Sequence, residues 1–120
     1  MDIALVGAGI GGLAAAACLL QQGHTVRVYE QAGEVSEVGA AVQMSANAVK
    51  VLYQLGLKNT LEQHAVKPES FQFLRYDTGE MLHLIVLGAE HEKRHGHPYY
   101  QIHRVDLHQG LLKARSEERR

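Results

Sequence analysis

The chain has 120 residues, 46% of them apolar and 21% charged, the proportions of one folded domain rather than of a disordered or fibrous chain. Twelve basic side chains nearly cancel thirteen acidic ones, leaving a net charge of −1, which excludes a general affinity for nucleic acid or for anionic membrane surfaces. A single cysteine excludes an intrachain disulfide, and no apolar run reaches the ~18 residues of a membrane span.

The N-terminus enters structure at once. Ile3 to Val6 is a short apolar run closed by glycine, the pattern of a strand buried on both faces of a parallel sheet. Gly7, Gly9 and Gly12 follow on the G-x-G-x-x-G spacing, where that strand has to turn into a helix. The chemistry asks for glycine at each place. The first makes the tight turn, the second lets backbone approach a pyrophosphate, and the third lets helix and strand pack closely. Leu13 to Gln22 reads as the helix, with small Ala16 one turn after Gly12 and Gly23 placed to close it. The amides and the positive dipole end of such a helix face phosphate. Cys18, inside this helix, reads as a small buried hydrophobe.

Thr25 to Tyr29 reads as the second strand and ends on Glu30, where an acidic side chain can accept hydrogen bonds from ribose hydroxyls. Together these elements predict a βαβ dinucleotide site. Glu30 separates NADP, whose 2′-phosphate it would repel, from FAD and NAD, and does not separate the last two.

Gln31 to Gly39 is a polar loop, and Gly39 to Gln43 is small and extended, suited to close approach of a ligand. Ser45 is placed as the N-cap of a helix from Ala46 to about Leu55, with Ala48, Val49, Leu52 and Leu55 on one stripe. Gly56 ends it, and Lys58 to His64 forms a further short helix before Pro68.

The period then changes. Ser70 to Tyr76 alternates apolar and polar residues, Asp77 to Glu80 is turn chemistry, and Met81 to Leu87 reads as the return strand of a hairpin. Gly88 to Pro98 reads as a polar loop. His91 and His95 stand at the i, i+4 spacing of a zinc-binding helix face, but Gly96 and Pro98 argue for a loop and no further ligand completes a set, so no metal is expected. Tyr99 to His103 is another short strand, Arg104 leads into a helix with Leu107 and Leu111 on one face, and Ser116 to Arg120 is a solvated charged end. Asp2 and the lack of a basic n-region argue against a secretory signal, so a cytoplasmic protein is expected.

Gly7-Ala8-Gly9-Ile10-Gly11-Gly12-Leu13, Glu30-Gln31, Gly39 to Gln43, Asn47 and above all His103-Arg104-Val105-Asp106-Leu107-His108 resemble the N-terminal region of single-component FAD-dependent aromatic hydroxylases, in the salicylate hydroxylase and 6-hydroxynicotinate 3-monooxygenase branch. The resemblance runs along essentially the whole chain, and the Arg-x-Asp-Leu element makes it specific. It implies that Gly9, Ile10 and Gly11 face the FAD pyrophosphate, with Gly7 at the turn. Glu30 would then hold the adenosine ribose with Gln31 beside it, Gln43 would lie where the chain passes the flavin, and Arg104 would contact the cofactor. The hydroxynicotinate branch carries histidine in place of Gln43, which argues against an identical substrate.

The resemblance further implies FAD as cofactor, NADH or NADPH as co-substrate, and a small aromatic substrate hydroxylated with molecular oxygen. Chains of this family continue well past residue 120, to a second Gly-Asp cofactor motif and most of the substrate pocket, so residues 1–120 would be the front part of such an enzyme. The expected fold is α/β: a partial Rossmann-like FAD domain from residues 1 to about 67 and 99 to 120, with the hairpin and loop of about 70 to 98 joining the substrate-domain sheet. No catalytic base or nucleophile is identified in this stretch. Two alternatives stand beside this reading: another FAD- or NAD-dependent oxidoreductase sharing the βαβ unit, and an inactive truncated remnant.

Overall fold

The computed structural model describes residues 1–30 and 41–118. Gln31 and the polar loop through Gly39 and Ala40 lie outside the described residues. The chain opens with β1 (Asp2–Val6), α1 (Ile10–Gln21) and β2 (Thr25–Tyr29), and the two strands pair in parallel with Asp2 opposite Thr25 and Val6 opposite Tyr29. This is the expected βαβ unit, and α1 ends where Gly23 donates its amide to the Leu20 carbonyl at 3.0 Å.

One expectation fails in β1. The strand is not buried on both faces: Ile3 and Leu5 are half-buried, while Ala4 is exposed and Val6 is 91% exposed. The reason is topological. Among the described residues β2 is the only strand hydrogen-bonded to β1, so the strand forms one edge of a two-stranded ladder.

The next elements are β3 (Ala41–Met44), α2 (Ala46–Gln54) and α3 (Lys58–His64). Ser45 occupies the N-cap position of α2 with extended backbone. Its hydroxyl bonds the Asn47 side chain instead of a helix amide. A hairpin of β4 (Ser70–Leu74) and β5 (Met81–Val86) follows, antiparallel, with a register irregularity between Phe73 and Leu74; β4 ends at Leu74, short of the expected Tyr76. Every residue of β5 is exposed.

Residues 88–95 correct the expectation of a loop: they form α4 (Gly88–His95). Gly96 and Pro98 terminate this helix and do not prevent it. Gly96 takes the left-handed conformation at φ +83° and donates its amide to Glu92 O at 2.8 Å, and Pro98 stands just beyond, where it cannot continue the helix. Glu90 in the first turn and Lys93, Arg94 and His95 in the last agree with the helix dipole.

β6 (Tyr100–His103) pairs antiparallel with β3, bringing His103 opposite Ala41 and Gln101 opposite Gln43, and α5 (Arg104–Glu118) closes the described chain. Leu13 and Ala17 of α1, Val49 and Leu52 of α2, Leu61 of α3, Tyr100 and Ile102 of β6 and Leu107 and Leu111 of α5 form one apolar core. Each fully buried leucine or valine contributes about 1.5–3 kcal/mol. Cys18 is half-buried at the edge of this core, more exposed than its apolar character suggested. Among the described residues no helix is long and apolar enough to cross a membrane.

Candidate functional site

The site is the turn between β1 and α1. Gly7 has φ +102°, a conformation open to glycine and costly for other residues, and its amide donates to Tyr29 O at 2.6 Å across the sheet. Gly12 is required for a different reason. A Cβ there would lie 2.2 Å from the carbonyl oxygen of Gly7, so any side chain would force the helix away from the strand. A Cβ on Gly11 would meet nothing within 4 Å, and Gly11 is exposed. Gly9 occupies the N-cap with no side-chain cap, so the first turn of α1 presents backbone amides with no intrahelical acceptor.

Ala8, buried among these glycines, is held from both ends. Its amide donates to Glu30 Oε2 at 2.6 Å, and its carbonyl lies 2.7 Å from Nε2 of His108. A carbonyl only accepts, so Nε2 carries the hydrogen. His108 is 1% exposed and comes from α5, 100 residues away in sequence. Its other ring nitrogen, Nδ1, is buried without a protein partner among the described residues.

The expected site residues divide. Gly7, Gly9, Ile10, Gly11 and Glu30 gather around this one turn. Glu30 is exposed, and a carboxylate has about four lone-pair sites, so the bond to Ala8 is compatible with further acceptor work. Arg104 is the first residue of α5, half-buried, one helical turn before His108. Gln43 stands on the β3–β6 ladder instead, where its Oε1 accepts the Tyr99 hydroxyl at 3.0 Å. Gln31 lies outside the described residues.

His108 had no assigned role in the sequence. The available signal was its position: Arg104, Leu107, His108 and Leu111 form one helical stripe, and a polar residue on a buried stripe needs a partner.

A second concavity, of about 310 Å³, lies between the hairpin, α4 and Tyr99, lined in part by Phe71, Ile85, Leu87 and His91. The rings of His91 and His95 are 4.5 Å apart. Burial, then the neighbouring His95 and Arg94, holds the His91 imidazole below its ordinary value. Among the described residues no group of three or more His, Cys, Asp or Glu side chains comes together as a metal site. At the core, the hydroxyls of Tyr53 and Tyr100 bond at 2.9 Å, and burial, followed by this bond, pushes the Tyr100 phenol upward.

A family model described as FAD binding domain matches residues 1–118. The chain is 41% identical over 112 residues to 6-hydroxynicotinate 3-monooxygenase of Pseudomonas fluorescens, covering 93% of this chain and 29% of that protein. It is 37% identical over 117 residues to 3-hydroxybenzoate 6-hydroxylase of Polaromonas naphthalenivorans, covering 98% of this chain and 29% of that protein. Among solved structures, Klebsiella pneumoniae HpxO complexed with FAD and uric acid superposes with a TM-score of 0.79 at 30% identity, over 94% of this chain and 28% of that one. The chain therefore spans under a third of the length of these relatives.

Proposed function

The chain belongs to the FAD binding domain family, and from that premise we propose that it forms the front part of the flavin site of an NAD(P)H-dependent monooxygenase that hydroxylates a small aromatic substrate. The observation that carries this reading is the turn itself: a glycine at φ +102°, a Gly12 Cα packed against the Gly7 carbonyl, and an exposed, uncrowded Gly11 at a helix start. Those features fit a dinucleotide pyrophosphate, which needs backbone amides and no side chains in its way.

In this reading the turn at Gly7 and the amides of Gly9, Ile10 and Gly11 hold the pyrophosphate, Glu30 accepts from the adenosine ribose with Gln31 beside it, and Gln43 borders the flavin. Arg104 supplies a guanidinium, which pairs with phosphate in fork geometry. FAD bound there would supply the redox chemistry, taking electrons from NADH or NADPH and using molecular oxygen to hydroxylate an aromatic ring. The activities of the relatives, a monooxygenase and a hydroxylase of small aromatic acids, support this choice of reaction. The cytoplasm, where reduced nicotinamide is available, is the compartment we assign.

We assign residues 1 to about 67 and 99 to 120 to the FAD domain and the hairpin of 70 to 87 to a substrate-domain sheet. The hairpin pairs only with itself among the described strands, and Phe73, Leu74 and every residue of β5 are exposed, which supports that division. The test is purification of the full natural chain. It is expected to be yellow, with FAD bound noncovalently, whereas a colourless protein that takes up NAD and ignores FAD would overturn the reading.

A further inference from the structure

The buried histidine of α5 contacts the glycine turn through one bond, and that bond has a consequence for the amide next to it. The carbonyl of Ala8 and the amide of Gly9 belong to one peptide unit, which is planar and trans, so their C=O and N–H point in opposite directions. Holding the Ala8 oxygen therefore sets where Gly9 N–H points. His108 holds it at 2.7 Å from a ring that is 1% exposed. The preceding peptide is fixed independently, because Glu30 takes the Ala8 amide at 2.6 Å and the Gly7 carbonyl abuts Gly12.

We infer that His108 is a positioning residue for the nucleotide turn: through the Ala8–Gly9 peptide it aims the Gly9 amide that a cofactor pyrophosphate accepts. This rests on the flavin reading given above. It assigns a role to a buried side chain that acts through the backbone of the turn, and it gives a physical reason for α5 to pack on α1. Glycine-rich backbone has many accessible conformations, and ordering it at the moment of binding costs affinity. A clasp built into the core moves that ordering into folding.

The bond identifies the conservative replacement. The Nε2 of glutamine reaches about as far as the Nε2 of histidine and donates an N–H, whereas leucine fills similar space and donates nothing. The experiment compares His108→Leu and His108→Gln with the wild type in the full natural chain. FAD is titrated by flavin fluorescence, and ADP and adenosine compete against it as probes with and without the pyrophosphate. His108→Leu is expected to weaken FAD and ADP by about tenfold or more, and adenosine by less than about twofold, as loss of one buried bond aimed at one peptide requires. His108→Gln is expected to restore FAD binding to within about threefold. The ¹H–¹⁵N resonance of Gly9 should shift in His108→Leu and return toward its wild-type position in His108→Gln.

Wild-type affinity for FAD in a folded His108→Leu protein would overturn the inference and leave the flavin reading standing. Equal losses for ADP and adenosine would also overturn it, by showing that His108 is only a core residue. If His108→Leu does not fold, His108→Gln decides: a folded protein that has lost FAD binding tenfold refutes the donor role, and one that binds normally supports it. A wild-type chain that takes up no FAD removes the flavin reading and this inference together.

Discussion

The carboxylate of Glu30, at the end of β2, accepts the amide of Ala8 in the β1–α1 turn at 2.6 Å. The residue that follows the second strand of a βαβ unit thus also braces the glycine turn after the first. Replacing Glu30 by alanine removes an acceptor from that amide and, in the proposed complex, from the ribose. FAD binding should weaken by about 1–3 kcal/mol. Glu30→Gln keeps an oxygen acceptor and should recover part of the loss. Flavin-fluorescence titration measures both, and unchanged affinity in Glu30→Ala would reduce Glu30 to a surface carboxylate.

Gly11 and Gly12 are adjacent, and their replacement by alanine should act in opposite directions on stability. At Gly12 the new Cβ would stand 2.2 Å from backbone oxygen, so β1 and α1 must separate, costing about 1–3 kcal/mol or more. At Gly11 the new Cβ meets nothing within 4 Å, and alanine in a helix is favoured over glycine by up to about 1 kcal/mol. Gly11→Ala should therefore raise the unfolding midpoint while lowering FAD affinity, because in the proposed complex the methyl group would crowd the pyrophosphate. Thermal unfolding with a parallel FAD titration checks the pair, and a Gly11→Ala protein that binds FAD normally would remove Gly11 from the site.

His91 should titrate below 6.5, because burial and the nearby His95 and Arg94 disfavour its protonated form. The unfolded chain then binds a proton more readily than the folded one at this position. The stability His91 contributes is present above pH 6.5 and is lost as pH falls from there through the lowered folded value. His95→Gln removes one of the repelling charges and should move the His91 titration upward. An NMR titration of the imidazole protons reads both, and an unshifted His91 in the wild type would contradict the packing of α4 against Tyr99.

Residues 1–120 expressed by themselves should self-associate. Phe73, Leu74, Leu82 and Val86 are each more than half exposed on a two-stranded hairpin, and Val6 is 91% exposed on β1. Apolar strands with unpaired edges pair with other copies. Sedimentation velocity should show oligomers that Leu82→Lys with Leu84→Lys reduces. NADH oxidation with candidate phenolic acids should show no turnover by this segment. A monomer with a sharp unfolding transition and substrate-dependent turnover would overturn the division at residues 70 to 87.

The βαβ unit was legible in the sequence because its determinants are local. A short apolar run, three glycines at fixed spacing and a helix closed by Gly23 each constrain backbone within a few residues. The hairpin was legible for the same reason, from alternation over Ser70 to Tyr76, turn residues 77–80 and the apolar run of Met81 to Leu87. The same local signals mislead over residues 88–95, because Gly96 and Pro98 read as breakers within a loop, whereas they stand after the last turn of α4 as its stop. Burial of β1 depended on which strands flank it, and pairing with neighbours is not written in the strand's own residues. The pairing of β3 with β6 and the clasp of His108 on Ala8 were decided by tertiary structure alone. Each joins residues more than fifty positions apart, and nothing in the glycine turn specifies that its carbonyl will meet an imidazole from the last helix. The sequence by itself determined the glycine turn and the helix start that follows it, because both are fixed by residues within a few positions. Packing of α5 against α1 decided what holds that backbone still, because a buried imidazole must place its N–H on an acceptor and the Ala8 carbonyl was the one within reach.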